Sequence, residues 1–285
     1  RASAPCDLHI HSNYSGGALT PSLTVERAVI ADLAAISITD HDTIAGQREA
    51  LDAAQASPLE VITGIEFTVM EGDTEIHILG YLFDPLSGAI GGCAARLEES
   101  RRVRALEMVD RLRRLGLDVT IEEVQKISGG GTIGRLHIAR LLWEKGYTAS
   151  FQQAFDRFIG KGRPAFVPRQ ALGMTEAIGV IKGSGGVAVW AHPGQAIRKR
   201  RLVSMIIDAG IEGIEAEHPN HTPELRRLVT GVAGRYSLVC TGGSDFHFTE
   251  VMKADIGGES VPYSAVTSLR ERAGGPLPDG GTADI

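Results

Sequence analysis

The chain has 285 residues, 43% of them hydrophobic, enough to bury one large α/β core or two modest ones. A formal net charge of -6 speaks against a large nucleic-acid-binding surface, and 5% aromatic content speaks against a long base-stacking groove. Three widely spaced cysteines, Cys6, Cys93 and Cys240, suggest neither a disulfide framework nor a CxxC zinc module and fit a reducing, cytoplasmic setting. The N-terminus lacks a charged-then-apolar signal pattern, and no apolar run approaches the roughly 20 residues that span a bilayer.

Short β-branched and apolar runs recur along the chain, many of them separated by stretches with helical spacing, which is the rhythm of a βα barrel. In order they are Cys6 to His11, Ala35 to Asp40, Val61 to Phe67, Ile76 to Phe83, Val187 to His192, Ile211 to His218 and Leu238 to Asp245, giving seven candidate strands. Between the first two, Thr20 can cap a helix, Pro21 suits its first position, and Val25, Val29 and Leu33 recur at intervals of four. That helix supplies the crossover a parallel pair needs. From about Gly91 to Val167 the sequence reads as helical throughout, too long for one crossover. Leu97, Val103, Leu106, Val109 and Leu112 mark one amphipathic helix ending near Gly116, and Ile133 to Lys145 and Phe151 to Ile159 mark two more. The expected organisation is a discontinuous barrel over 1–90 and 168–273, an inserted small helical domain over 91–167 carried as a lid, and a poorly ordered tail over 274–285.

The residues able to do chemistry gather at the ends of these runs. His9 and His11 stand two apart on one strand and so share a face. Alone, such a pair is equally well explained by ordinary surface or core histidines. Asp40, His41 and Asp42 follow the second run, Glu66 ends the third, His77 lies in the fourth, His192 ends the fifth, and Asp245 and His247 follow the last. Parallel barrels build active sites at the C-terminal ends of their strands, so groups scattered in sequence are expected to converge. Of nine histidines only His137, His218 and His221 fall outside this set. Imidazoles with carboxylates and no thiolate suit Zn²⁺, Mn²⁺ or Fe²⁺ in a reactive site, and a set this large suits two or three ions. Such ions can acidify a water and neutralise a departing oxygen.

The segments Asp7-Leu8-His9-Ile10-His11-Ser12, Ile38 to Gly46, Gly64-Ile65-Glu66, Ile76 to Gly80, Ala191-His192-Pro193 and Gly242 to His247 together resemble the PHP (polymerase and histidinol phosphatase) family. More narrowly they resemble its stand-alone bacterial members that hydrolyse nucleotide phosphates. The likeness runs from Cys6 to about His247 and includes Gly134-Arg135-Leu136-His137-Ile138-Ala139-Arg140. It implies a distorted seven-stranded βα barrel with up to three metals. By the same resemblance His9, His11, Glu66 and Asp245 hold one ion, Glu66 bridges to a second held by His77 and His192, and His41 and His247 hold a third. Family members usually carry Ser-Asp-Gly where this chain has Ser15-Gly16-Gly17, and that aspartate completes the third site. Here a third ion has no such carboxylate.

Within the lid, Arg135, His137 and Arg140 open a helix after the Gly129 to Gly131 run, a combination that suits a phosphate held away from the scissile bond. Lys161 and Arg163 either join that junction or belong to a polar linker. His218 and His221 follow the sixth run and either bind a base or ribose in the cleft or line a polar loop. The basic run Arg198 to Arg201 reads first as a solvated loop or helix start, and second as a contact for an anionic substrate. Asp40 and His192 are candidates to shuttle or orient protons. The expected activity is hydrolysis of a nucleotide phosphomonoester by metal-activated water, with the 3′-phosphate of a 3′,5′-bisphosphate and short oligonucleotides as particular cases. Competing readings are a sugar- or histidinol-type phosphatase, an amidohydrolase, and a catalytically weak nucleotide-binding regulator. The barrel alone does not separate them.

Overall fold

The computed structural model describes residues 2–72, 74–128, 131–169, 171–247 and 254–274. The first half of the barrel comprises β1 (Pro5–Ile10), α1 (Pro21–Ile30), β2 (Ala35–Ile38), α2 (Gln47–Ala54), β3 (Glu60–Glu71) and β4 (Thr74–Tyr81). Four helices follow: α3 (Gly88–Arg114), α4 (Ile121–Ile127), α5 (Arg135–Glu144) and α6 (Phe151–Ala154), the last continued by a π-helical turn over Phe155–Ile159. The chain returns through α7 (Met174–Gly183), β5 (Val187–Trp190), α8 (Arg200–Asp208), β6 (Gly213–Glu217), α9 (Pro223–Tyr236), β7 (Val239–Gly242), β8 (Val261–Pro262) and α10 (Ser264–Ala273).

The strands form one sheet in the order β7-β6-β5-β4-β3-β2-β1-β8. Pairs are parallel except where β4 meets β3 and β5 and where β8 meets β1. The sheet curls into a distorted barrel that closes where the residues after β7 reach β1. There Asp245 N–H donates to the His9 carbonyl at 2.8 Å and His11 N–H to the Phe246 carbonyl at 2.9 Å. Gly243 permits this approach, since a Cβ would lie 2.4 Å from His9 N and 2.6 Å from Asp7 Oδ1.

Seven strands were expected and eight are present among the described residues. The additional β8 is two residues long, too short to carry an alternation that sequence can reveal. Glu66 does not end its strand. β3 runs on to Glu71, paired with β4, while its pairing with β2 stops at Thr63 and an isolated bridge joins Glu66 to His41. His77 lies near the start of β4, but β4 runs against its neighbours, and that reversal brings His77 to the rim where the parallel strands end.

In α1 the Thr20 hydroxyl accepts from Leu23 N–H, Pro21 occupies the first turn, and Val25 and Ala28 are buried. Val29 of the expected stripe is 39% exposed, because the helix turns its 25/28 face inward. Helix α3 is shared by two cores. Ile90, Cys93, Ala94 and Leu97 pack against the barrel, while Ala105, Met108, Val109 and Leu112 pack with α4, α5 and α6. The boundary expected at residue 91 therefore falls inside one continuous helix. Val103 and Leu106, expected inside, are exposed; Ala105 and Met108 take the inward positions. Gly129, Gly130 and the tail beyond Gly274 lie outside the described residues. Among the described residues no helix is long and apolar enough to cross a membrane.

Candidate metal centre

At the barrel rim the sequence-predicted ligands converge. Four groups of three have ligand atoms within 4.8 Å of one another: His9, His11 and Asp245; His9, Glu66 and His192; His41, Glu66 and His77; and His11, His41 and His247. Glu66 is fully buried and divides its oxygens between two sides. Oε1 faces His77 Nδ1 at 2.8 Å and His192 Nε2 at 3.0 Å. Oε2 faces His41 Nδ1 at 2.8 Å, His11 Nε2 at 3.3 Å and His9 Nε2 at 3.5 Å. Asp245 Oδ1 stands 3.4 Å from His9 Nε2 and 3.1 Å from His11 Nε2, and these two ring nitrogens are 3.2 Å apart.

The outer nitrogens are engaged so that the inner ones face the cluster. His9 Nδ1–H donates to Glu215 Oε1 at 2.9 Å. His11 Nδ1 meets Ser15 Oγ at 3.1 Å, and that hydroxyl in turn donates to Asp40 Oδ1 at 2.6 Å. His247 Nδ1–H donates to the Asp245 carbonyl at 3.0 Å. Such partners set the tautomer and aim of a ligating imidazole. Glu215 also accepts from His192 N–H at 2.7 Å, holding a residue whose φ is +22°. Asp7 accepts from the backbone N–H groups of His9, Ser244 and Gly257, tying β1 to the segment after β7.

Electrostatics follow from this crowding. Burial opposes charge on His11, but Asp245 and Glu66 outweigh it and raise the ring to about 9. Burial is likewise overcome at His77, where Glu66 and Glu75 raise it to about 10. Burial prevails at His41 and His247, each lowered to about 4. Glu66 and Asp245 are held well below the usual carboxylate range against burial, by the surrounding imidazoles. The residues fit divalent cations on a more direct observation. Glu66 Oε2 and His41 Nδ1 are buried and 2.8 Å apart, yet neither has a hydrogen-bond partner. Buried polar atoms left unmet are costly, and a cation shared by the two would satisfy both.

Against the lid, a cavity of about 260 Å³ opens beside His41 and His77, lined also by Arg101, Arg104, Arg135, Arg169, Phe155 and Glu75. Arg101 and Arg169 both pair with buried Asp42. Arg104 donates to the Val167 carbonyl at 2.8 Å, and Arg135 lies 5.6 Å from the Phe155 ring centroid. Neither has a carboxylate ion pair among the described residues.

Several expectations are corrected by position. Asp40 is spent on Ser12 N–H, Ser12 Oγ–H and Ser15 Oγ–H, behind His11, which suits orienting a ligand and not shuttling a proton. His221 uses both ring nitrogens on backbone groups, Nδ1–H to the Ala216 carbonyl and Nε2 from Gly194 N–H, so neither is left for a substrate. Arg140 is exposed and paired with Glu144, and Lys161 is exposed outside the cavity. His137 is buried, with Nδ1 accepting from Gly134 N–H at 3.0 Å. His218 is buried beside the centre, its Nε2 3.3 Å from Asp245 Oδ2. The sequence reading missed Glu215, Ser15, Asp7 and the arginines of α3. An acidic residue inside the apolar run before His218 was a usable signal for Glu215; nothing local marked Arg101 or Arg104.

A barrel whose rim aims imidazoles and carboxylates at shared points defines the class of metal-dependent hydrolases. The signature of the PHP domain matches residues 7–161, and the chain belongs to the PHP family. It is 33% identical to a 3′,5′-nucleoside bisphosphate phosphatase of Chromobacterium violaceum, over 89% of this chain and 91% of that protein. It is 34% identical to the 5′-3′ exoribonuclease Rnm of Escherichia coli, over 85% of this chain and 84% of that protein. A crystal structure of a candidate metal-dependent phosphoesterase from Bifidobacterium adolescentis superposes with a TM-score of 0.86 at 31% identity, covering 96% of this chain and 97% of that one.

Proposed function

We propose that this protein is a metal-dependent phosphoric ester hydrolase acting on a nucleotide that carries a second phosphate, such as a 3′,5′-bisphosphonucleotide or a short 5′-phosphorylated oligonucleotide. The observation that carries this reading is the adjacency of two charge environments: a buried carboxylate between two sets of imidazoles, and a cavity lined by four arginines beside it. Two of those arginines are answered by Asp42, which leaves Arg104 and Arg135 for an anion. Relatives named for nucleoside bisphosphates and for RNA favour nucleotides over sugar or histidinol phosphates.

Manganese, zinc or iron, two or three ions at His9, His11, His41, Glu66, His77, His192, Asp245 and His247, would supply Lewis acidity that acidifies water and offsets phosphoryl charge. The chain's own groups do the rest. Glu66 holds the two sets of imidazoles in one charge environment, while Glu215 and Ser15 keep His9 and His11 aimed inward. Arg104 and Arg135 grip the phosphate that does not react, and charge-assisted hydrogen bonds there fix the ester over the ligand cluster. Phe155 backs the Arg135 guanidinium and limits its freedom. His192, half-buried at the rim, is the residue we propose to orient a proton where it is not engaged as a ligand. We place the activity in the cytoplasm.

A screen of metal-depleted protein resupplied with Mn²⁺, Zn²⁺ or Fe²⁺ tests this. Bisphosphorylated nucleotides should release phosphate faster than monophosphates, histidinol phosphate and sugar phosphates, with no ammonia from amides. Absence of phosphate release from every nucleotide with every metal would overturn the reading.

A further inference from the structure

The segment Glu217 to His221, at the end of β6, carries two histidines that belong to none of the four ligand groups. His221 holds the turn together. Its N–H donates to the His218 carbonyl at 2.9 Å, and its ring joins the Ala216 carbonyl to Gly194 N–H. His218 is the residue that this turn places. It is 3% exposed, and its Nδ1 accepts from Asn220 N–H at 3.1 Å, which puts the ring proton on Nε2. That Nε2–H donates to Asp245 Oδ2 at 3.3 Å.

Asp245 therefore divides its oxygens between two sides. Oδ1 faces His11 Nε2 at 3.1 Å and His9 Nε2 at 3.4 Å, while Oδ2 faces His218. The backbone here is already pinned to β1, since Asp245 N–H donates to the His9 carbonyl at 2.8 Å. What remains free is largely the last torsion of the side chain, which is broad in aspartate. A donor on one carboxylate oxygen settles that rotation, and so settles where the other oxygen points.

We infer that His218 is a positioning residue of the proposed reaction: by holding Asp245 Oδ2 it keeps Asp245 a one-oxygen ligand, with Oδ1 toward His9 and His11. This rests on the phosphoesterase reading and puts His218 behind the ligands, not on the nucleotide. A contact to base or ribose needs an open face, whereas this ring is buried and does not line the seam cavity. Catalytic metal sites keep a coordination position open, and a carboxylate held to one oxygen spares one.

Two substitutions separate this role from a merely structural one. In His218→Gln the amide nitrogen can take the place of Nε2 and donate to Asp245, while Asn220 N–H loses its acceptor. In His218→Asn the side-chain oxygen can take the place of Nδ1 and accept from Asn220, while Asp245 loses its donor. The measurements are equilibrium dialysis of the metal-depleted full chain against Mn²⁺, melting curves, and kcat and KM for a 3′,5′-bisphosphonucleotide. His218→Asn should bind one equivalent of Mn²⁺ about tenfold more weakly and lose kcat by about 10–100-fold with KM nearly unchanged, in the range for partners of metal ligands. His218→Gln should stay near the wild type in both, even if its melting temperature is the lower of the two. The reverse order, with His218→Asn near the wild type and His218→Gln impaired, would mean that the ring serves the turn alone and would overturn the inference. So would a rise in KM with kcat and Mn²⁺ affinity kept, which would put His218 on the substrate. If neither variant folds, nitrogen NMR of the wild type decides: the His218 proton should sit on Nε2 with and without Zn²⁺, and a proton on Nδ1 would overturn the inference. Failure of the wild type to bind any divalent metal would instead sink the phosphoesterase reading itself.

Discussion

The barrel rim and the lid seam hold charge of opposite sign and obtain it differently. At the rim, Asp7, Glu66 and Glu215 come from within strands and Asp40 and Asp245 from the turns just beyond them, and backbone N–H groups, serine hydroxyls and imidazoles face their oxygens. At the seam, Arg101 and Arg104 come from α3, Arg135 from α5 and Arg169 from the segment before α7. They meet because α3 crosses from one core to the other. On the proposed function the rim keeps cations in place and the seam receives an anion. Damage to the rim should therefore appear in metal content and turnover, and damage to the seam in substrate preference.

The largest effect is expected at Glu66, whose two oxygens face different sets of imidazoles. Glu66→Gln removes the shared negative charge. Turnover should fall by more than about a hundredfold with loss of bound metal, since even outer partners of ligands are worth roughly 10–100-fold. Elemental analysis with kinetics checks it, and unchanged values for both would break the picture of the rim. Glu215→Gln is the next step down. It keeps the shape but weakens the hold on His9 Nδ1–H and His192 N–H, and metal affinity should drop by about 10–100-fold while the melting curve of the metal-free protein moves little.

The same contrast explains what sequence could reveal. The candidate rim ligands sit in short motifs whose strand-end placement follows from barrel geometry, so the convergence of His9, His11, His41, His192 and Asp245 was legible from the set taken together, though not from any one of them. His77 and Glu66 were legible as chemistry but not as position, because the reversal of β4 and the length of β3 depend on pairing between distant segments. The seam was mostly illegible. Arg104 is one of many charged residues on a long helix, and only the burial of Ala105 and Met108 in place of Val103 and Leu106 turns it toward the cavity. The eighth strand and the split role of α3 are likewise set by tertiary packing.

At the seam, Arg135→Ala should weaken bisphosphorylated substrates by about 1.5–3 kcal/mol, the range for a charge-assisted hydrogen bond, with a smaller effect on monophosphates. Comparing KM and kcat for the two classes checks this, and equal losses would show that Arg135 does not read the second phosphate. A subtler difference lies within the rim. His11 and His77, raised to about 9 and 10, hold protons at pH 7 in the metal-free protein, whereas His41 and His247, lowered to about 4, do not. A cation must displace the held protons, so binding should release protons at pH 7, and affinity should rise with pH until about 9 to 10. The sign for stability is opposite. In metal-free protein the contribution of these two rings is complete below about 6.5, the unfolded value, and disappears as pH rises through 9 to 10. Calorimetry in buffers of different ionisation enthalpy measures the release, and none at pH 7 would contradict the charge pattern.

The smallest effect is expected where rim and seam touch, at Gly16. Resemblance to the PHP family suggests that Gly16→Asp restores a ligand, but the backbone there has φ +125°, a conformation that side chains rarely adopt. Space is not the obstacle, since the nearest atoms to an added Cβ are 3.7 Å away or more. Strain is. A non-glycine residue in such a region costs on the order of 1–3 kcal/mol, which should lower the melting temperature of the metal-free protein by only a few degrees. In return, the new carboxylate stands between His137 and His247, accepts the His137 proton and offers an oxygen to the imidazole group. Bound metal at a fixed Mn²⁺ concentration should then rise. Dialysis against Mn²⁺, beside melting curves, separates the two claims: an unchanged melting temperature would mean that the loop relaxes at no cost, and unchanged metal binding would mean that the space over Gly16 is not where a further oxygen ligand belongs.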